Sequence, residues 1–180
     1  PMRISFAGGG TDIPQFFEEH GGVVINATID KYCHASIIKR ADSKITIASD
    51  ISEGEYILDT RKIQYDNNFD LIKAVIKITK PEFGLDIHLH NDIPPGRGLG
   101  ASASLAVLIT KLITQLQGIE YNDNKIEEIA YKAERDELKI KGGWQDQYAA
   151  VTGGFNYMEF KKDQQIIYPL KLKDNIINEF

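Results

Sequence analysis

The segment Asn91-Asp92-Ile93-Pro94-Pro95-Gly96-Arg97-Gly98-Leu99-Gly100 can be neither helix nor strand, yet it stands between a strand pattern and a helix pattern. Before it, Leu85, Ile87 and Leu89 alternate with His88 and His90, the period-two signature of a strand. After it, Leu105, Leu108, Ile109, Leu112, Ile113 and Leu116 recur with the period of a helix packed on a sheet, over Ser102 to Gln117. Gly96, Gly98 and Gly100 remove side chains where backbone amides must approach a ligand. The helix after the loop turns unpaired N–H groups and a partial positive charge into the same space. A phosphate is the natural occupant, and Ser102 in the first turn can cap the helix or ligate a magnesium ion shared with the phosphates. A plain Gly/Pro turn closed by a serine cap uses the same residues, and the loop alone leaves both readings open. Two other phosphate motifs fail: no Lys followed by Ser or Thr ends the loop, and the glycine spacing is not G-x-G-x-x-G.

The rest of the chain supplies strands first, with helices inserted, which predicts an α+β fold over a doubly wound parallel sheet. Ile4 to Phe6 runs into Ala7-Gly8-Gly9-Gly10-Thr11-Asp12, a strand ending in a glycine-rich loop. Val23 to Ile38, Lys44 to Ala48 and Glu55 to Leu58 are β-branched or alternating and read as strands. Phe69, Ile72, Val75, Ile76 and Thr79 have helical spacing, and Pro81 ends that helix. A further helix is expected from about Asp123 to Leu138, capped by Asn122 or Asp123, and a short one from Gln145 to Val151 between glycine pairs. Phe155 to Phe160 and Gln165 to Leu172 are the last candidate strands.

With 180 residues, 42% of them hydrophobic, the chain can bury one substantial core. A net charge of −5 gives no positive field for nucleic acid or an anionic membrane, so an anionic ligand must be met locally. No apolar run approaches the ~20 residues of a membrane span, and Cys33 has no partner cysteine, which makes a reducing, cytoplasmic setting the default and a buried structural thiol the plain reading. Pro1-Met2-Arg3 opens directly on a strand and Ile176 to Phe180 ends inside a candidate helix, so a fragment of a longer protein is expected.

Two further segments could carry chemistry. Thr11 and Asp12 suit a sugar, whose hydroxyls can donate to an Asp, and equally suit a cap for a helix over Ile13 to Glu19. Glu134 lies at the margin of the stripe made by Ile126, Ile129, Ala130 and Ala133, although Glu137 is nearer its centre. Asp146 falls in the first turn of its helix, where the dipole favours the ionised form and where it could simply stabilise the helix. His88 and His90 share a strand face without a third ligand at a suggestive spacing, and Trp144, Tyr148 and Phe155 read as core.

Pro94-Pro95-Gly96-Arg97-Gly98-Leu99-Gly100-Ala101-Ser102-Ala103 resembles the P-x-x-x-G-L-G-S-S-A loop of the GHMP kinases, the family of galactokinase, homoserine kinase, mevalonate kinase and phosphomevalonate kinase. The Arg3 to Asp12 segment is similar to the galactokinase signature, and Glu134-Arg135 followed by Gly142-Gly143-Trp144-Gln145-Asp146 completes the family order. The resemblance implies the N-terminal GHMP domain over residues 1–180, a fold related to domain 2 of ribosomal protein S5. It implies ATP held by Pro95, Gly96, Gly98, Leu99, Gly100, Ala101, Ser102 and Ala103, with Ser102 and Glu134 as Mg2+ ligands. Asp146 is then the catalytic base, Arg3 neutralises charge near the transferred group, and Gly9, Gly10, Thr11, Asp12 and Gln145 meet a sugar or sugar-phosphate substrate. Ala101 departs from the first serine of the pattern. The glycine-rich openings resemble the branch of heptose phosphate kinases and fucokinases. The family's C-terminal domain is the expected partner, a homodimer is compatible with the reading, and an inactive nucleotide- or sugar-binding protein on the same fold is the main alternative.

Overall fold

The computed structural model describes residues 1–50, 52–60, 62–94 and 96–177. Two four-stranded sheets carry the chain. The first is antiparallel throughout, in the order β1 (Arg3–Ala7), β2 (Gly22–Thr28), β7 (Phe155–Lys161) and β8 (Gln164–Leu170). The second has the order β3 (Cys33–Arg40), β6 (Gly84–Asn91), β4 (Lys44–Ser49) and β5 (Ser52–Asp59), with β4 and β6 parallel and the other pairs antiparallel. The helices are α1 (Pro14–His20), α2 (Asp70–Thr79), α3 (Ala101–Leu116), α4 (Asp123–Lys132), α5 (Gln145–Thr152) and the single turn α6 (Asp174–Ile177). This is the α+β arrangement expected. The β-rich stretch from Val23 to Ile38 divides into β2 and β3, which belong to different sheets. The link between them is tied to the start of the chain by Met2 N–H to the Lys31 carbonyl at 2.7 Å and Ile29 N–H to the Met2 carbonyl at 2.9 Å.

The larger core lies between the second sheet and the helices α2, α3 and α4. Leu85, Ile87 and Leu89 of β6 point into it, as their alternation requires, and meet Ile76, Ile109 and Ile113. Each fully buried Ile or Leu contributes about 1.5–3 kcal/mol of transfer free energy. A smaller core of Phe17, Val24, Tyr148, Met158 and Phe160 lies on the first sheet. Helix α5 serves both: Ala150 packs in the larger core, Tyr148 and Ala149 in the smaller. The residue two places into this helix, Asp146, is therefore fixed from both sides. Trp144 stacks on Tyr131 with ring centroids 3.5 Å apart, Tyr148 tilts onto Phe160, and Phe155 stacks on Phe6 at 6.2 Å.

Local chemistry sets the helix ends. Lys80 takes a left-handed conformation and its N–H reaches the Ile76 carbonyl, which stops α2 before Pro81. Asn122 Oδ1 accepts from Lys125 N–H at 2.9 Å and caps α4. The helix expected to run unbroken to Leu138 instead leaves α-geometry at Ala133 and makes a π-helical turn over Ala133–Glu137. Such a turn inserts a residue and rotates the side chains beyond it about the helix axis. Cys33 is half-buried and donates toward the Ala101 carbonyl at 3.4 Å, and burial pushes its thiol up to about 11. Among the described residues no helix is long and apolar enough to cross a membrane.

Glu127 on α4 is 4% exposed, and burial, reinforced by Asp123, pushes its carboxyl up to about 8 against the opposing pull of Lys111. The folded state therefore holds a proton that the unfolded chain releases near pH ~4.3. Stability that is full below that value is lost as pH rises through about 8. Chemical denaturation between about pH 5 and pH 9 is expected to show a falling stability with a slope of up to about 1.4 kcal/mol per pH unit, flattened in Glu127→Gln.

Candidate active site

Arg3 on β1 reaches across to Asp146 on α5. Its Nε and Nη2 both lie 2.6 Å from Asp146 Oδ1, and its Nη1 donates to the Gly98 carbonyl at 2.8 Å. The Arg3 N–H also donates to the Leu99 carbonyl at 2.9 Å. One arginine thus fixes strand, glycine loop and helix together, and it occupies only one carboxylate oxygen. Burial raises the Asp146 pKa and Arg3 opposes that rise, with Asp12 adding to it. The net upward direction makes Oδ2 a better proton acceptor than an exposed Asp would offer.

Facing this pair is the start of α3. Gly100 is its N-cap in the left-handed region at φ 70°, with no side-chain cap, so the serine-cap reading of Ser102 does not hold. An added Cβ on Gly100 would lie 3.4 Å from both Arg3 Cγ and Asp146 Cγ. The helix start is therefore packed directly against the ion pair. Ser102 Oγ donates instead to Glu134 Oε1 at 2.6 Å, and Gln147 Nε2 donates to Glu134 Oε2. Glu134, in the π-helical turn, is 2% exposed, and burial raises its pKa despite Ser102, Arg135 and Gln147. A buried carboxylate beside a hydroxyl, at a helix N-terminus, is a pair of hard oxygen donors that fits a magnesium ion completed by phosphate oxygens and water. Among the described residues no three His, Cys, Asp or Glu side chains converge as a metal site.

Asp12 does not cap α1: that helix begins at Pro14 with Ile13 as its N-cap and no side-chain cap bond. The Asp12 carboxylate, on a residue 2% exposed, accepts instead from Gln145 N–H at 3.0 Å, the first amide of α5, and from Gly10 N–H at 3.2 Å. Gln145 Nε2 approaches its other oxygen at 3.4 Å. Thr11 Oγ1 donates within the loop, 2.8 Å from the Gly8 carbonyl and 2.9 Å from that of Val23, and accepts from Val23 N–H at 3.0 Å. The hydroxyl is fully used in holding the glycine-rich turn against β2.

A cavity of about 360 Å³ joins these parts. It is lined by Arg3, Asp146, Ser102 and Glu134, by Gly10, Asp12 and Gln145, and by Gly96, Gly98, Leu99, Gly100 and Ala101. Gly9, Thr11 and the buried Ala103 are not on its wall, and Pro95 lies outside the described residues. His90 pairs elsewhere, its Nδ1 2.6 Å from Asp50 Oδ2. Two contributors were not anticipated from sequence. Gln147 is 0% exposed and holds Glu134, and Arg135 braces the far wall through the Ile140 carbonyl at 3.3 Å and the Gly143 carbonyl at 3.2 Å. A glutamine among Tyr148, Ala149 and Ala150 on a buried helix face was the available signal for the first.

A helix N-terminus behind a glycine loop, a buried carboxylate with a hydroxyl, and an arginine-paired aspartate share one cavity on an α+β fold. The family model for the GHMP kinases N terminal domain matches residues 70–154 of the chain. The D-glycero-alpha-D-manno-heptose 7-phosphate kinase of Campylobacter jejuni is 37% identical over 99% of this chain, and the chain spans 55% of that relative. A crystal structure of a D-glycero-D-manno-heptose 1-phosphate kinase from Bacteroides thetaiotaomicron superposes with a TM-score of 0.91 at 35% identity, covering 99% of this chain and 61% of that one. The L-fucokinase/L-fucose-1-P guanylyltransferase of Bacteroides fragilis is 28% identical over 88% of this chain and 20% of its own length. The chain thus spans little more than half of the first two relatives.

Gly143 leaves no room for a side chain, since a Cβ there would fall 2.1 Å from Asp12 Oδ2. Gly143→Ala is expected to push Asp12 off the first amide of α5 and lower the melting temperature by several degrees, at about 2–4 °C per kcal/mol. A scanning calorimetry trace matching the parent would remove Asp12 from its place as the brace of α5.

Proposed function

We propose that this chain is the N-terminal, ATP-binding domain of a sugar kinase. We assign as its reaction the transfer of the γ-phosphate of ATP to the anomeric hydroxyl of D-glycero-D-manno-heptose 7-phosphate, giving the 1,7-bisphosphate. The observation that carries this is the free Oδ2 of Asp146, held by Arg3 through Oδ1 alone and packed against the start of α3. Bound ATP with Mg2+ supplies the phosphoryl group and neutralises its charge. The amides opening α3 meet the phosphate oxygens, and Ser102 and Glu134 are the protein's metal ligands. Gly10, Asp12 and Gln145 orient the sugar so that its hydroxyl stands against Asp146. Asp146 Oδ2 takes the proton as the oxygen–phosphorus bond forms and ADP departs, while the Arg3 charge limits the cost of the developing negative charge. Placement and charge are most of what phosphoryl transfer asks of a protein.

The similarity to the heptose kinases, at 35% and 37% identity, favours heptose phosphate as the acceptor. A fucokinase or another sugar kinase is the second reading, supported by the fucokinase at 28%. Retention of Asp146, Glu134 and Ser102 in one cavity argues against an inactive binding protein. The half-buried free thiol of Cys33 and the use of ATP fit a cytoplasmic enzyme.

A coupled ADP-release assay on the full-length protein with heptose 7-phosphate, fucose, galactose and mannose, with phosphorus NMR of the product, is expected to select heptose 7-phosphate and show a new anomeric ester. A faster rate on any other of these sugars would replace the acceptor named here. Asp146→Asn is expected to lower kcat by about 10²–10⁴-fold, the usual worth of a positioned base, while titration leaves ATP affinity nearly unchanged. Normal turnover in that variant removes Asp146 from its role. Relatives are longer than this chain, and the second domain of the family is proposed as part of the working enzyme. Residues 1–180 alone are therefore expected to show little or no turnover, and measurable sugar kinase activity from them would contradict this.

A further inference from the structure

The cavity holding Asp146 does not end at the sugar-facing loop. A second hollow of about 610 Å³ adjoins it and shares Ile13, Arg135, Ile140, Lys141 and Gly142 with it. The second hollow adds Lys139 and Asp136 to the lining, so three cations stand there against one carboxylate. Arg135 is largely buried, and its guanidinium hydrogen-bonds to two carbonyls, which hold it in place without cancelling its charge. The nearest carboxylate oxygen paired with it is Glu134 Oε1, at 3.9 Å. Lys139 and Lys141 are exposed and make no ion pair among the described residues, whereas neighbouring Glu137 is already bonded to Tyr65 and Lys77. The turn that carries them is ordered by Leu138 N–H to the Ala133 carbonyl at 3.3 Å and Ile140 N–H to the Glu134 carbonyl at 2.9 Å, with Lys139 in the left-handed region at φ 56°. This excess of positive charge is local, in a chain whose net charge is −5.

We propose that this hollow is the subsite for the phosphate that the sugar substrate already carries, with Arg135 as its fixed charge and Lys139 and Lys141 as its mobile ones. The inference rests on the sugar kinase reading and sharpens it: the site selects a phosphorylated sugar over a free one. A sugar whose reacting hydroxyl faces Asp146 and whose ring meets Asp12 and Gln145 extends its other end past Ile140 and Gly142, into this hollow. Lysine ammonium groups meet a phosphate as charge-assisted donors, and one such contact is commonly worth a factor of about ten in affinity. The reaction that supplies the substrate must then be a phosphorylation or isomerisation that leaves a phosphate ester at the end of the sugar away from the reacting hydroxyl.

Calorimetric titration of the full-length protein tests this without turnover, using heptose 7-phosphate and the same heptose without phosphate, each with inorganic phosphate as competitor. The parent protein is expected to bind the phosphorylated sugar at least about tenfold more tightly, with phosphate competing, and Lys139→Ala/Lys141→Ala is expected to bind the two sugars alike. A parent that does not discriminate overturns the proposal, as does a double variant that keeps the preference. Loss of ATP affinity in the double variant with the sugar preference intact would assign the lysines to the nucleotide and overturn it as well. A protein that shows the expected preference yet transfers no phosphate in the ADP-release assay would leave the subsite standing and refute the kinase.

Discussion

The contact between Arg3 and Asp146 organises the molecule. It joins residues separated by 143 positions, and the same guanidinium also holds the Gly98 carbonyl, 95 positions from Arg3. The side chains are only 12% and 22% exposed, and burial is the main cause of the raised Asp146 pKa, so the pair carries a desolvation cost and is a poor candidate for a net stabiliser. What it provides is position. The first strand, the glycine loop and α5 are far apart in the chain and meet at the cavity wall. A set of short charge-assisted bonds fixes that meeting with directional geometry. The glycine at position 100 is the steric counterpart, because only a residue without a Cβ sits easily in the left-handed region directly against this pair.

Asp12 performs the complementary task on the other side of α5. Its carboxylate receives the first amide of that helix from outside, and it does so only because Gly143 leaves room. Two acids therefore crowd one short helix start, Asp12 against the amide and Asp146 in the first turn. Each lies where the helix dipole lowers the cost of negative charge. Their mutual repulsion appears in the raised pKa of Asp146, where Asp12 is among the causes. Structure and chemistry use the same arrangement: the helix needs a terminal acceptor, and the acceptor chosen also lines the cavity.

The glycine loop, the helix start at Ser102 and the placing of Asp146 in a first turn were legible because glycine, proline and an N-terminal acid act through the local backbone, which sequence spacing reports directly. The strand alternation of Leu85, Ile87 and Leu89 was legible for the same reason. Asp12 was harder. Its partner amide lies 133 positions away, and a Thr-Asp pair before a helical stretch looks like a cap whether or not it caps. Glu134 was hidden by a change of helical pitch. Periodicity at ~100° per residue set it at the margin of the stripe and favoured Glu137, but the helix leaves α-geometry over Ala133–Glu137, where Glu134 is buried and Glu137 bonds to Tyr65 and Lys77. The family pattern pointed to Glu134, which lies on the cavity wall, where periodicity alone would have pointed to Glu137. The division of Val23 to Ile38 between two sheets escaped notice because β-propensity is blind to which sheet a strand joins.

The charges around the cavity bear on why the proposed function would call for a divalent cation. At its wall Asp12, Glu134 and Asp146 face Arg3 and Arg135, while Arg97 stands at the exposed rim. Rim charges are screened by water and salt and draw an anion in more than they hold it. At the wall the carboxylates exceed the guanidinium groups by one, and both Glu134 and Asp146 have pKa values raised by burial. A polyphosphate entering such a place meets repulsion that amides at a helix start, each a partial charge, only partly offset. Under the proposed function, a divalent ion held by Ser102 and Glu134 would reverse the local sign and relieve the buried carboxylate, and Asp146, paired with Arg3 through one oxygen, would keep the other for a proton. The division of labour between the two acids thus comes from their partners: a hydroxyl and an amide for one, a guanidinium for the other.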